Sequence, residues 1–212
     1  MTFGGKSVQT DKNTKRRSPM KKHSSLQIIR DEHASLAAML QSMRMMIERG
    51  PSEDRRNFFD VLRAMLFYID EFPERLHHPK ESNLLFPKVA KAVPKVMGAI
   101  DKLERDHMYS EKAARDLQHL LLSWELLGAS RRQAFEDAFK TYMAFYVEHM
   151  HLEESIILPE AEHCLTDDEW QALDAAFAAN ADPLTGHYPP AQEYEKLFSM
   201  IVSRAPSPIG LG

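Results

Sequence analysis

The chain has 212 residues, a formal net charge of −4, 43% hydrophobic and 27% charged residues, which suits one soluble domain with a sizeable core and gives no reason to expect nucleic acid. No apolar run is long enough to span a membrane. The single cysteine, Cys164, cannot close an internal disulfide and the N-terminus lacks the apolar core of a secretory signal, so the expected location is the cytoplasm.

Only eight glycines occur, and the stretches between them carry Leu, Ala, Glu, Lys, Arg and Met, which favour helix. Residues 1–22 stand apart: Lys6, Lys12, Lys15, Arg16, Arg17, Lys21 and Lys22 face a single acid, Asp11. With no aromatic residue interleaved, this reads as a solvated, mobile tail rather than an arm for an anionic partner.

The first helix is expected from Ser24, which has capping-box spacing to Gln27. Leu26, Ile29, His33, Leu36, Leu40, Met43 and Ile47 form its inner stripe, and Gly50-Pro51 ends it. Ser52 can cap the second helix, whose stripe is Phe59, Leu62, Leu66 and Ile69, continuing toward His77, Glu81 and Leu84. Pro73 predicts a kink or restart there. Pro94 and Gly98 lead into the third stripe, Ile100, Leu103, His107, Ser110, Ala114, Leu117, Leu121 and Trp124, which Gly128 stops. Ser130 and Gln133 offer another capping box before the fourth stripe: Phe135, Ala138, Tyr142, Phe145, His149, Leu152 and Ile156. Short links between four long amphipathic helices predict an all-α, up-down-up-down four-helix bundle over residues 23–163. Residues 164–212 add two short helices, from Thr166 (with Glu169 as capping partner) to about Asn180 and from about Pro190 to Ser203, read as packing additions.

Each of the four stripes carries a histidine: His33, His77, His107 and His149. A lone histidine in an apolar stripe is usually a hydrogen-bonded core residue. Here two are followed four residues later by glutamate, His77 by Glu81 and His149 by Glu153. Residues four apart share a helix face, so each pair aims a nitrogen and a carboxylate at one point. Buried carboxylates are costly unless a cation neutralises them.

The spacing repeats. His77-His78-Pro79-Lys80-Glu81-Ser82-Asn83-Leu84-Leu85-Phe86-Pro87 parallels His149-Met150-His151-Leu152-Glu153-Glu154-Ser155-Ile156-Ile157-Leu158-Pro159. Arg30-Asp31-Glu32-His33 and Glu104-Arg105-Asp106-His107 open the two halves. Two related helical hairpins, each giving two histidines and one glutamate, suit two metal ions bridged by carboxylates with room for an exogenous molecule. Imidazole with carboxylate suits Fe, Mn or Zn; calcium or magnesium would want more oxygens.

At these residues the chain resembles the hemerythrin-like, histidine-histidine-glutamate cation-binding family. Its pattern, a histidine and then histidine-x-x-x-glutamate, occurs twice, at His33, His77, Glu81, His107, His149 and Glu153. The resemblance covers about residues 24–160 and implies two iron ions that meet a small diatomic or peroxide ligand. Oxygen-carrying members have a further histidine one turn after the third helix ligand. Here that position is Glu111, an additional metal-ligand candidate or proton relay. Iron-repair members carry a cysteine-bearing N-terminal domain, where this chain has its basic segment.

His78 and His151 point about 100° and 200° around a helix from the neighbouring ligands, which assigns them to the surface or to outer support. Tyr142 and Tyr146, one or two turns before His149, are expected to pack with bonded hydroxyls. The functions these features imply are sensing, binding or detoxifying O₂, NO or peroxide. The alternatives are a di-iron oxidoreductase turning over peroxide or NO, and an interaction protein stapled by its metals. The sequence leaves the oligomeric state open.

Overall fold

The computed structural model describes Met1, residues 23–51 and residues 54–212. The expected basic tail, beyond Met1, and the expected cap at Ser52 lie outside the described residues. Every regular element among those described is helical.

Helix α1 spans Ser24–Arg49. Its predicted stripe is buried throughout. Gly50 ends it at φ 71°, a left-handed value that favours glycine, and donates its N–H to the carbonyls of Met46 and Ile47. The expected capping box at Ser24 does not form: His23 precedes the helix and no side chain of the first turn caps it. Asp174 does so from far along the chain, accepting from Ser25 N at 2.7 Å and Ser25 Oγ at 2.6 Å.

Helix α2, Arg55–Ile69, is capped by Asp54, whose side chain accepts from Asn57 N. It does not restart at Pro73. The chain stays helical through a widened π segment, Asp70–His77, then α3 (His78–Lys80), a second π segment, Glu81–Leu85, and α4 (Phe86–Ala92). Helix α5 spans Met97–Leu127, and its eight buried residues are the eight of the predicted stripe. Helix α6, Arg132–Leu152, also runs through a π segment, Glu153–Ile157, into α7 (Leu158–Cys164). No side chain caps α6, so the capping box expected at Ser130 is absent.

The two repeat segments share one distortion. Phe86 N donates to Glu81 O, and Leu158 N donates to Glu153 O, each five residues back. Pro87 and Pro159 follow directly. A proline ring presses on the carbonyl four residues earlier and has no N–H of its own, and a widened turn relieves both problems. Each widened turn begins at a glutamate of the repeat.

Two apolar clusters fill the interior. One contains Leu36, Leu40, Phe59, Leu66, Leu121, Trp124 and Phe135, the other Leu26, Ile29, Leu85, Phe86, Ile100, Leu103 and Leu158. Each long segment passes from one cluster to the other, and at the crossing it carries a buried polar group: His33, His77 to Glu81, His107, and His149 to Glu153. The burial of α6 differs by one step from expectation. Phe135, Phe139, Tyr142, Tyr146 and His149 face inward, while Ala138 and Phe145 are half-buried and Ile156 is exposed. Apolar residues on both sides of the line made the stripe ambiguous.

Beyond residue 164, α8 (Asp167–Ala178) packs on α1, and α9 (Glu195–Arg204) packs on α2. The Thr166–Glu169 capping box forms as expected. No helix among the described residues is long and apolar enough to cross a membrane.

Candidate metal centre

Seven donor side chains occupy the polar layer between the apolar clusters: His33 from α1, His77, His78 and Glu81 from the α2–α4 segment, His107 from α5, His149 from α6 and Glu153 just beyond it. None is more than 8% exposed. They form two groups able to hold a metal ion. His33, His77, Glu81 and Glu153 make one, and His78, Glu81, His107 and His149 the other; within each, the donor atoms lie within 4.8 Å of one another. Glu81 belongs to both. Its Oε1 lies 2.8 Å from His77 Nε2 and its Oε2 3.3 Å from His107 Nε2, while Glu153 Oε2 lies 3.5 Å from His33 Nε2.

These atoms are near one another without bonding one another. His77 Nε2, His107 Nε2, His149 Nε2 and both oxygens of Glu81 and Glu153 have no hydrogen-bond partner among the described residues. Buried polar atoms are nearly always paired, and these seven unpaired atoms in one layer are the signature of donors meant for a cation. Imidazole nitrogens and carboxylate oxygens in this ratio fit iron, manganese or zinc.

The far side of each ring is held. His33 Nδ1 lies 2.8 Å from Glu154 Oε1, His77 Nδ1 2.6 Å from Glu32 Oε2, and His78 Nδ1 3.0 Å from Glu74 Oε2. Ser82 Oγ lies 2.9 Å from His107 Nδ1 and donates to Glu104 Oε2, so the hydroxyl accepts the imidazole proton. His149 Nδ1 faces Asp106 at 3.6 Å, too long for a direct bond. An acceptor at Nδ1 keeps the proton there and turns the Nε2 lone pair inward, the usual outer support of a metal-binding histidine.

Without a cation the layer is electrostatically conflicted. Burial opposes charge on His33, but Glu153 and Glu154 outweigh it and lift the imidazole to about 9. Burial, reinforced by His78 and His107, drives His149 down to about 2. Burial and the neighbouring Glu81 push Glu153 up to about 7. Glu81 is held well below the usual carboxylate range, because His77 and His107 overcome its burial. Two carboxylates and several imidazoles thus share too few protons, a conflict that divalent ions resolve.

All six residues of the predicted pattern meet in this layer. Two other expectations change. His78 is not at the surface: it is buried among the residues of the second candidate donor group. The segment runs through the middle of the donors, so the adjacent His77 and His78 belong to different groups. Glu111 is exposed and pairs with Arg115, outside both groups, because its α5 position turns past the buried stripe. Sequence reading missed the supports Glu32 and Glu74 and, beyond residue 164, Asn180, which donates to Glu32, and the buried Asp182. Glu74 had a signal, lying one helical turn before His78. His151 is exposed, as expected.

A small cavity of about 10 Å³ abuts the layer, bordered by His33, His77, His78 and His149 and by Phe72 and Tyr146. The Tyr146 hydroxyl donates to Glu74 Oε1 at 2.5 Å, and Ser110 Oγ donates to Glu74 Oε2 at 2.8 Å.

The profile of the hemerythrin HHE cation binding domain matches residues 24–161, more than half of the chain. The chain belongs to the hemerythrin HHE cation-binding family. Among curated proteins and solved structures, none matches it significantly. The family match spans the whole polar layer, including His78, and stops before α8.

Proposed function

We propose that this hemerythrin HHE protein is a cytoplasmic non-haem di-iron protein that binds, senses or detoxifies O₂ or a related small oxidant, NO or peroxide. Its four long helical segments form an up-down-up-down bundle around the metals, with α8 and α9 packed outside. The order in which the segments cross between the apolar clusters supports that topology: α1 and α5 run one way, and the segments containing α2 and α6 the other.

One observation carries the reading: Glu81 is common to two buried donor groups, and its oxygens, those of Glu153 and the Nε2 atoms of His77, His107 and His149 lack partners among the described residues. One ion would be held by His33, His77, Glu81 and Glu153, the other by His78, Glu81, His107 and His149. Iron there would supply reversible binding or electron transfer to a small oxidant. The protein's own part is to fix the ring nitrogens through Glu32, Glu74, Glu154 and Ser82, and to limit access. A cavity of about 10 Å³ has room for about one water-sized molecule. The acidic net charge and the lone cysteine agree with a small-molecule partner in a reducing compartment. Metal analysis with optical spectra of the aerobic and reduced protein tests the proposal. About two iron ions per chain and an oxidation-dependent spectrum support it, and a chain expressed with ample iron that holds none refutes it.

The oxidoreductase reading has one feature in its favour. Tyr146 borders the cavity with its hydroxyl bonded to buried Glu74, a route for a proton to a molecule held there. Peroxide consumption that falls in Tyr146→Phe at unchanged metal content separates turnover from binding.

A further inference from the structure

Two buried polar side chains at the centre come from beyond the family match, which ends at residue 161. Asn180 is 5% exposed and Asp182 2%, and both border the cavity next to His77. They follow α8 directly, with Asn180 N donating to Phe177 O.

Asn180 Nδ2 donates to both oxygens of Glu32, at 2.8 and 2.9 Å. Glu32 in turn accepts from His77 Nδ1 at 2.6 Å. The Lys80 ammonium donates to Asn180 Oδ1. An ammonium has only donors, so the amide oxygen must face Lys80 and the amide NH₂ must face Glu32. The run of bonds therefore has one direction. It starts at Lys80, keeps Glu32 an acceptor, leaves the His77 proton on Nδ1, and presents the Nε2 lone pair to Glu81 and the first donor group.

We infer that Asn180 is a positioning residue of the metal centre: through Glu32 it fixes the tautomer and orientation of His77, so the C-terminal segment sets how tightly the first metal is held. Among the described residues, Asn180 and His77 are the side chains hydrogen-bonded to Glu32. Without Asn180 the buried Glu32 carboxylate loses the donors that hold it in place, and the His77 ring bonded to it is free to reorient. The inference rests on the metal-centre reading above.

The test uses the full-length chain loaded anaerobically with ferrous iron, and measures iron loss to an excess of a chromogenic chelator. Asn180→Ala is expected to release iron about tenfold faster than the parent, the scale seen when outer support of a ligand is removed. Asn180→Asp keeps the shape but turns the donor into an acceptor, and is expected to release iron faster still. Asp174→Ala breaks the contacts of α8 with Ser25, away from Glu32, and is expected to match the parent. Circular dichroism of each metal-free variant monitors the fold. Asn180→Asp behaving like the parent would show that shape alone matters and overturn the inference. Asp174→Ala matching Asn180→Ala would also overturn it, by showing general loosening. A parent chain that retains no iron would overturn the metal reading itself, whereas a parent that retains iron alongside unaltered Asn180 variants would overturn only this inference.

Discussion

His77 and His78 are adjacent in the chain yet serve opposite sides of the centre. The His77 ring is held by Glu32 and sits with His33 and Glu153, and the His78 ring is held by Glu74 and sits with His107 and His149. The two halves of the repeat are therefore not equivalent in the donor layer, because Met150 stands where the second half would need a counterpart of His78.

This asymmetry makes His78 and Glu111 an informative pair. His78→Ala is expected to lower metal content from about two ions per chain toward one, since three-histidine support of the second group becomes two. Glu111→Ala is expected to leave metal content and the optical spectrum unchanged, because the side chain is exposed and bonded to Arg115. Elemental analysis of the two purified variants checks both; loss of metal from the Glu111 variant alone would reverse the assignment.

The carboxylates should also differ. Glu81 is within reach of both groups and Glu153 of one. Glu81→Ala is expected to abolish nearly all metal binding, whereas Glu153→Ala retains about one ion per chain. Titration with ferrous iron followed by elemental analysis distinguishes the two stoichiometries. Equal losses would show that both carboxylates bridge.

Metal removal should destabilise the fold. The unpartnered atoms of Glu81, Glu153, His77, His107 and His149 lie in a layer between apolar clusters, and only a cation satisfies them together. A ligand present at a thousand times its dissociation constant adds about 4 kcal/mol, which corresponds to roughly 10 °C in a chain of this size. Thermal unfolding before and after chelation, followed by circular dichroism, should show a drop of that order. An unchanged transition after confirmed metal removal would contradict the buried-donor reading.

Asp182 sets a pH dependence of its own. Burial raises its carboxyl from 3.8 to about 6, although Tyr68 donates to it at 2.6 Å. The folded state thus keeps a proton that the unfolded chain has already lost. Stability is expected to fall as pH rises from about 4 to about 6, and to level off above that. Asp182→Asn removes the cost of the buried charge, so it should stabilise the metal-free chain at pH 7 by at most about 3 kcal/mol, with the gain vanishing below about pH 4. Denaturant midpoints of parent and variant across that range check the sign. A variant less stable at every pH would show that the Tyr68 bond outweighs the charge.

The extent to which the sequence could be read follows from which interactions are local. Helix periodicity is local, so the α5 stripe from Ile100 to Trp124 was legible residue by residue. A histidine and a glutamate one turn apart share a face in any helix, so both histidine–glutamate pairs and their repetition marked the centre before any folding was considered. The Thr166–Glu169 cap involves four consecutive residues and was equally readable. Three features were decided by the tertiary structure. The α1 N-terminus is capped by Asp174, 149 residues away from Ser25, which no local pattern announces. His78 lies in the second candidate donor group because its segment passes between the two groups, a matter of packing rather than of helix phase. Glu32 and Asn180 became one hydrogen-bonded support only when α8 docked on α1, since a buried carboxylate finds its donor wherever the fold brings one near. The sequence by itself marked six of the seven buried donors; the packing of separate helices decided that His78 joins them, how the seven divide into two groups and what holds each in place.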